Sequence, residues 1–125
     1  MVWRMLLVGV LACAAFAWPA AAEDDAGAKL FKGHCAACHT VELGAKPRQG
    51  PNLGNLFQRK AGTLDGYKYS AGLKAAGWQW TPEQLDLWLT DPKALVPDTL
   101  MSVYKQKDPA KRQIIVDYLR SINGT

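Results

Sequence analysis

Two cysteines and two histidines fall within six residues near the start of the chain, in the stretch FKGHCAACHTVELG. Cys35 and Cys38 are three positions apart, His39 directly follows the second cysteine, and His34 directly precedes the first. Clusters of this composition serve as zinc ligands, as redox dithiols or as cofactor attachment points. A structural zinc site needs four ligands spread around a tetrahedron, and adjacent side chains cannot all turn toward one ion. A redox dithiol follows a strand in a βαβ unit, and the sequence predicts no such unit.

The order Cys-x-x-Cys-His favours the third chemistry, covalent attachment of haem. Each thiol adds to a vinyl group of the porphyrin, and the histidine that follows becomes an axial ligand of the iron. Because three residues advance a helix by about one turn, thioethers at Cys35 and Cys38 hold one edge of the ring. His39 then lies under the iron.

The second axial position of the iron decides between electron transfer and ligand binding. Met101, in VPDTLMSVY, is the only methionine beyond the first five residues. A lone apolar residue is usually part of a core, but its position in a loop lets the chain lie across the open face of the ring. His34, on the attachment turn, cannot reach that face. We therefore expect Met101 as the sixth ligand, which suits electron transfer; the alternative is a peroxidase-like or ligand-binding haem protein without it.

Three helices are predicted to hold this group. The first is capped by Asp24 or Asp25 and runs to about Cys35. The second has Thr81 as its cap, Pro82 at its first position and Gln84 completing a capping box, and it runs to about Thr90.

A short helix follows the break at Asp91-Pro92, and the third main helix has Asp108 as cap and Gly124 just past its end. Its predicted apolar stripe consists of Ile115, Tyr118, Leu119 and Ile122.

Strand signals are poor, and glycine- and proline-rich stretches such as HTVELGAKPRQGPNLGN separate the helices. Long loops in a small domain cannot bury enough apolar surface alone. The sequence therefore predicts an all-α protein with a large apolar cofactor in its centre.

The first 22 residues resemble a secretory signal peptide: Arg4, an apolar run from Met5, and small residues up to Ala22, followed by acidic Glu23. The predicted domains are a signal peptide at 1–22 and one folded domain at 23–125. An uncleaved anchor over the eighteen residues 5–22 and lipidation at Cys13 are the alternatives. Cleavage lowers the formal net charge from +4 to +3, a mild excess that does not indicate nucleic-acid binding.

The motifs together resemble the class I c-type cytochromes, close to the mitochondrial and short bacterial cytochromes c. The matching pieces cover nearly the whole of 23–125: CAACHTVE, GPNLGNLFQRKAG, YKYS, GWQW, DPKALVPDTLM and VDYL. The resemblance implies three main helices plus short helices and long loops around one covalent haem c, with Cys35 and Cys38 as attachment points. It also implies His39 and Met101 as iron ligands, with Pro51 accepting the proton of the other His39 ring nitrogen.

Other positions carry over as expectations. The positions that correspond to residues holding or screening the haem propionates are Arg59, Tyr69, Ser70, Trp80 and Thr99. The packing point of the first and last helices corresponds to Gly27, Phe31 and Tyr118.

The chain departs from the family pattern at two pocket positions and in its surface charges. Trp88 stands where many relatives have a tyrosine that hydrogen-bonds the methionine sulfur, and Leu73 replaces a polar residue, so we expect a more apolar pocket and a shifted potential. Family surface charges are kept at Lys29, Arg48, Lys93 and Lys107, and lost at His34, Leu100 and Asp108.

The expected function is that of a periplasmic, monomeric one-electron carrier rather than an enzyme. Its partners would be redox complexes: a quinol–cytochrome c oxidoreductase, a terminal oxidase, a photosynthetic reaction centre or a periplasmic reductase. A membrane-anchored redox module is the second alternative.

Overall fold

The structure is a computed structural model that describes residues 21–123. Five helices lie in this part of the chain: α1 (Ala21–His34), α2 (Ala71–Ala75), α3 (Pro82–Thr90), α4 (Pro92–Leu95) and α5 (Pro109–Ile122). A short 3₁₀ turn spans Leu56–Gln58. Residues 21–123 contain no strand, only an isolated bridge between Lys60 and Gln79. The all-α prediction is confirmed.

The predicted caps of the second and third main helices are present. Thr81 accepts a hydrogen bond from the Gln84 N–H, and Pro82 begins α3. Asp108 accepts from the N–H groups of Ala110 and Lys111 at the start of α5. Such caps satisfy backbone donors that a helix leaves without partners.

Three local predictions were wrong. Asp24 and Asp25 lie inside α1, which begins at Ala21, so neither caps it. The capping box is only half formed, because among the described hydrogen bonds Gln84 contributes its N–H and not its side chain. Ile122 is 42% exposed.

Helices α1 and α3 both pack against α5. The face of α5 that they cover carries Ile115, Val116 and Leu119, which are at most 2% exposed. Val116, which the predicted stripe omitted, belongs to this face. Burial of such side chains supplies the main favourable free energy of a small domain.

The crossing of α1 and α5 depends on Gly27. A Cβ atom at this position would lie 2.5 Å from the Tyr118 Cβ, so only glycine allows the two backbones to approach. The rings of Phe31 and Tyr118 then pack with centroids 5.6 Å apart. The predicted packing point of the first and last helices is confirmed.

The predicted signal peptide lies outside the described residues except for Ala21 and Ala22, which begin α1. Among helices of the described part, none has both the length and the hydropathy to cross a bilayer.

Candidate cofactor site

A cavity of about 290 Å³ opens between the helices and the long loops. Much of its wall is apolar and comes from the core, with Leu56, Leu85, Leu89, Ile115 and Leu119. These side chains belong to the buried core and also border the cavity, so an apolar group of substantial size placed there would extend the core.

All the predicted site residues line this one cavity, although they are spread from residue 35 to residue 101. They are Cys35, Cys38, His39, Pro51, Arg59, Tyr69, Ser70, Trp80, Trp88, Thr99 and Met101. The fold therefore brings the attachment motif, the candidate ligands and the polar positions to one place.

The two thiols stand on the turn that continues α1. The N–H groups of Cys38 and His39 both donate to the Cys35 carbonyl, at 3.0 and 2.9 Å. Both cysteines are free thiols. Burial, with the neighbouring Cys38 as a lesser cause, raises the pKa of Cys35 to about 11. A redox dithiol needs a thiolate at neutral pH, so the local electrostatics do not suit that chemistry.

His39 is held in a defined orientation. Its Nδ1–H donates to the Pro51 carbonyl at 2.8 Å, which leaves the Nε2 lone pair available to a metal. Burial lowers the pKa of His39, the hydrogen bond to Pro51 opposes this, and the Arg59 charge adds to the lowering. The imidazole is therefore neutral at neutral pH, as a metal ligand must be.

Gly50 packs directly on the imidazole ring. A Cβ at this position would lie 2.3 Å from His39 Cε1 and 2.7 Å from Nδ1, so any side chain would displace the ring. Sequence reasoning did not single out Gly50; its place directly before Pro51 in a glycine-rich loop is the only signal that marks it.

Met101 is held by two hydrogen bonds. Trp88 Nε1–H donates to the Met101 sulfur at 3.2 Å, and the Met101 N–H donates to Thr99 Oγ1 at 3.2 Å. Trp80 packs edge-on against Trp88 with ring centroids 5.8 Å apart and fixes the indole plane. An indole therefore supplies the donor to the sulfur at this position.

Polar groups in the cavity wall can accommodate carboxylates. Arg59 donates to the carbonyls of Asn52 and Gly54, the latter at 2.9 Å, and so its guanidinium is fixed in place. Ser70 Oγ accepts from the Leu73 N–H, which leaves its hydroxyl proton for another acceptor. Buried carboxylates require donors of this kind.

Leu73 is buried and lines the cavity. At this position the wall is apolar, as expected from the sequence.

Tyr67 and Tyr104, which were not predicted from the sequence, also line the cavity. Their aromatic character alone did not distinguish them from core residues.

A metal ion without a porphyrin has no comparable site among residues 21–123. In the part of the chain that the structure describes, no three His, Cys, Asp or Glu side chains gather in a way that could hold one. His34 instead packs edge-on against Tyr104, with ring centroids 5.9 Å apart. A flat apolar macrocycle with two thioether points, two axial ligands and carboxylates fits the residues present.

Comparisons with known proteins agree with this fit. The family model described as cytochrome c matches residues 25–123. Cytochrome c from Guizotia abyssinica is 43% identical over 108 residues, which cover 86% of this chain and 97% of that protein. Cytochrome c from Ginkgo biloba is 43% identical over 98 residues, 78% of this chain and 87% of that protein. Cytochrome c2 from Blastochloris viridis is 40% identical over 122 residues, 97% of this chain and 95% of that protein.

Proposed function

This chain belongs to the cytochrome c family, whose members carry one covalently attached haem c, and from this premise we propose that it is a bacterial periplasmic carrier of single electrons. The observation that carries the proposal is the pairing of candidate ligands: His39 fixed by Pro51 and Met101 fixed by Trp88, in the wall of one cavity. When bound, haem c supplies an iron that cycles between the ferric and ferrous states.

The chain's own residues attach, orient and enclose this group. Cys35 and Cys38 would attach haem c through thioethers, and His39 and Met101 would bind its iron. With both ligands supplied by the protein, no iron position would be left for a substrate, and histidine–methionine ligation favours electron transfer.

The propionates are held by the polar part of the wall. Arg59 is aligned by its two backbone acceptors, and Tyr69, Ser70, Trp80 and Thr99 line the same cavity. Their N–H and O–H groups replace the hydration that the carboxylates lose on burial.

Export to the periplasm rests on residues 1–22. Their order of charge, apolar run and small residues is that of a cleaved signal peptide. The match with cytochrome c2 from Blastochloris viridis covers 97% of the chain and so extends into this segment, which supports the proposal. Intact mass of the purified protein tests it: loss of the first 22 residues is expected, and their retention would indicate an anchored module.

The partners are redox proteins. A quinol–cytochrome c oxidoreductase, a terminal oxidase, a photosynthetic reaction centre and a periplasmic reductase are the proposed classes. Leu100 and Val103 line the cavity and are 65% and 96% exposed, so the rim presents apolar surface to a partner. Electron-transfer rates to each class at low and high salt would identify the partner and show how much its charges contribute.

Ligation by Met101 is tested on the ferric holoprotein. We expect the weak red absorption band that methionine–iron ligation produces, and slow binding of cyanide. The variant Met101→Ala should lose the band and bind cyanide rapidly. A wild-type protein without the band that binds carbon monoxide or cyanide at once would be a ligand-binding or peroxidase-like haem protein instead.

A further inference from the structure

Met101 lies in a segment that the fold anchors at its ends and leaves exposed in its middle. We call residues 96–108, between α4 and α5, the Met101 segment. Leu100 and Val103, close to Met101 on either side, are 65% and 96% exposed. Packing of these neighbours therefore does not fix the methionine, and the position of its sulfur depends on the hydrogen bond from Trp88 and on the anchors at the two ends of the segment.

The C-terminal anchor is tied to the helical core. The Gln106 N–H donates to the Leu89 carbonyl of α3 at 2.8 Å. Arg112 of α5 donates to the carbonyls of Gln106 and Lys107 at 3.0 and 3.1 Å, and to Asp86 of α3 at 2.7 Å. Opening this end would disturb the packing of α3 on α5.

The N-terminal end is held by the buried side chains of Val96 and Thr99 and by one carboxylate contact to α2. Asp98 Oδ2 accepts a hydrogen bond from the Gly72 N–H of α2 at 2.9 Å. The Asp98 and Val96 side chains lie so close to Gly72 that an added Cβ would be 2.2 Å from Asp98 Oδ1 and 3.0 Å from Val96 Cγ1. Gly72 does not have a positive φ, so a larger residue is opposed here by these side chains and not by backbone conformation, and the Asp98 carboxylate is the group it would displace.

This contact joins two elements that each contribute residues to the cavity wall. α2 contributes Leu73 to the wall, and the Met101 segment contributes Thr99, Leu100 and Met101. Thr99 Oγ1 in turn accepts from the Met101 N–H. A displacement of Asp98 is therefore passed to Met101 through a short stretch of chain.

We infer that Asp98 is a positioning residue for Met101: its contact with Gly72 keeps the Met101 segment closed, so that the sulfur stays at the iron. The inference rests on the proposed function, in which Met101 is the sixth ligand. An exogenous ligand can bind only when the sulfur has left, so its apparent affinity reports the fraction of open molecules.

The experiment titrates ferric holoprotein with imidazole. Asp98→Ala removes the acceptor, and we expect imidazole to bind about fivefold more tightly, the change that one ordinary hydrogen bond implies. Asp98→Asn keeps an acceptor oxygen and should restore the wild-type affinity. Asp117→Ala, on the exposed side of α5, loses the same charge away from the segment and should leave the affinity unchanged.

Gly72→Ala tests the contact from its other side. Alanine favours helix over glycine, so urea unfolding should show no loss of global stability from α2 itself. The new Cβ nevertheless displaces Asp98, and imidazole should again bind about fivefold more tightly. In the double variant Gly72→Ala/Asp98→Ala, the affinity should equal that of Asp98→Ala, because the two changes break one contact.

The inference would be overturned if the imidazole affinity changed by less than about twofold in either Asp98→Ala or Gly72→Ala. It would also be overturned if Asp117→Ala increased the imidazole affinity as much as Asp98→Ala does. Failure of the proposed function is seen separately, in a wild-type ferric spectrum without the methionine band. The imidazole affinity and the urea midpoint together distinguish a positioning role of Asp98 from general destabilisation. A residue that only stabilises the fold would change the urea midpoint and leave the imidazole affinity unchanged.

Discussion

At the scale of single residues, the hydrogen bond from Trp88 holds the sulfur of the proposed iron ligand Met101. The bond is 3.2 Å long and draws electron density away from the sulfur. In the proposed function the sulfur would then donate less to ferric iron, so the bond would favour the reduced state.

Replacement of Trp88 by phenylalanine should therefore lower the reduction potential. Loss of one hydrogen bond corresponds to about a fivefold change, and a tenfold change in a one-electron equilibrium to about 59 mV, so we expect a decrease of about 40 mV. Spectroelectrochemical titration measures it. Trp88→Tyr, which keeps a donor, is the matched control; a potential in Trp88→Phe equal to that of the wild type would contradict the role.

Residue types and their spacing predicted the attachment motif and the candidate ligands, because the functional residues of Cys-x-x-Cys-His lie within five consecutive positions. They did not predict Gly50 against His39 or Gly72 against Asp98. Those contacts join residues that are 11 and 26 positions apart, and they depend on how loops fold back.

At the scale of elements, α1 and α5 meet at a glycine. Gly27→Ala should lower the free energy of unfolding by about 1–3 kcal/mol, because the added Cβ overlaps with Tyr118. Urea unfolding of the holoprotein measures the change.

Gly33→Ala, in the same helix with nothing within 4 Å of the new Cβ, is the control. It should be neutral or stabilising by up to about 1 kcal/mol from helix propensity. Equal effects of the two variants would mean that the crossing tolerates a methyl group.

The start of α4 depends on pH through Asp91. Its carboxylate accepts from the Lys105 ammonium at 2.8 Å and from the Ala94 N–H at 3.3 Å. The hydrogen bond from Lys105 is the main cause that lowers the pKa of Asp91 from its ordinary 3.8. A lowered folded-state pKa means that the carboxylate stabilises the fold above pH 3.8, and that this stability is lost as pH falls through the folded-state pKa.

Asp91→Asn should therefore be less stable than the wild type at pH 5–7, and the difference should shrink below about pH 4. Thermal unfolding across this range measures it, and added salt should reduce the difference because the pair is partly exposed. A difference that persists unchanged to pH 3 would exclude the ionised pair as its cause.

Local chemistry explains which element boundaries were predictable. Two helix starts are set by residues close together in the sequence. Thr81 and Asp108 cap α3 and α5 by accepting hydrogen bonds from the next few N–H groups, and a proline follows each of them at the first helical position. The sequence therefore indicates those starts. The exposure of Ile122 depends on what α1 and α3 cover on α5, and helical periodicity does not contain that information.

At the scale of the whole molecule, the cavity adjoins the core. Ile115 and Leu119 belong both to the buried face of α5 and to the cavity wall. Bound haem would add apolar contacts on that side, and a domain of this size has little stability in reserve.

The variant Cys35→Ser/Cys38→Ser, which cannot form thioethers, should consequently lose most of its helical signal by far-UV circular dichroism at neutral pH. Noncovalent haem added to this variant should recover part of it by mass action. A variant that stays as helical and as resistant to urea as the holoprotein would show that the helices close the core alone.

The packing of α1 on α5 joins segments that are far apart in the sequence. Such contacts are costly to form early in folding, because the chain between them must first be closed into a loop. The thiols of Cys35 and Cys38 directly follow α1, so before α5 docks they lie on a segment that lacks its main packing partner. Docking of α5 therefore marks the point in folding after which access to the two thiols is reduced.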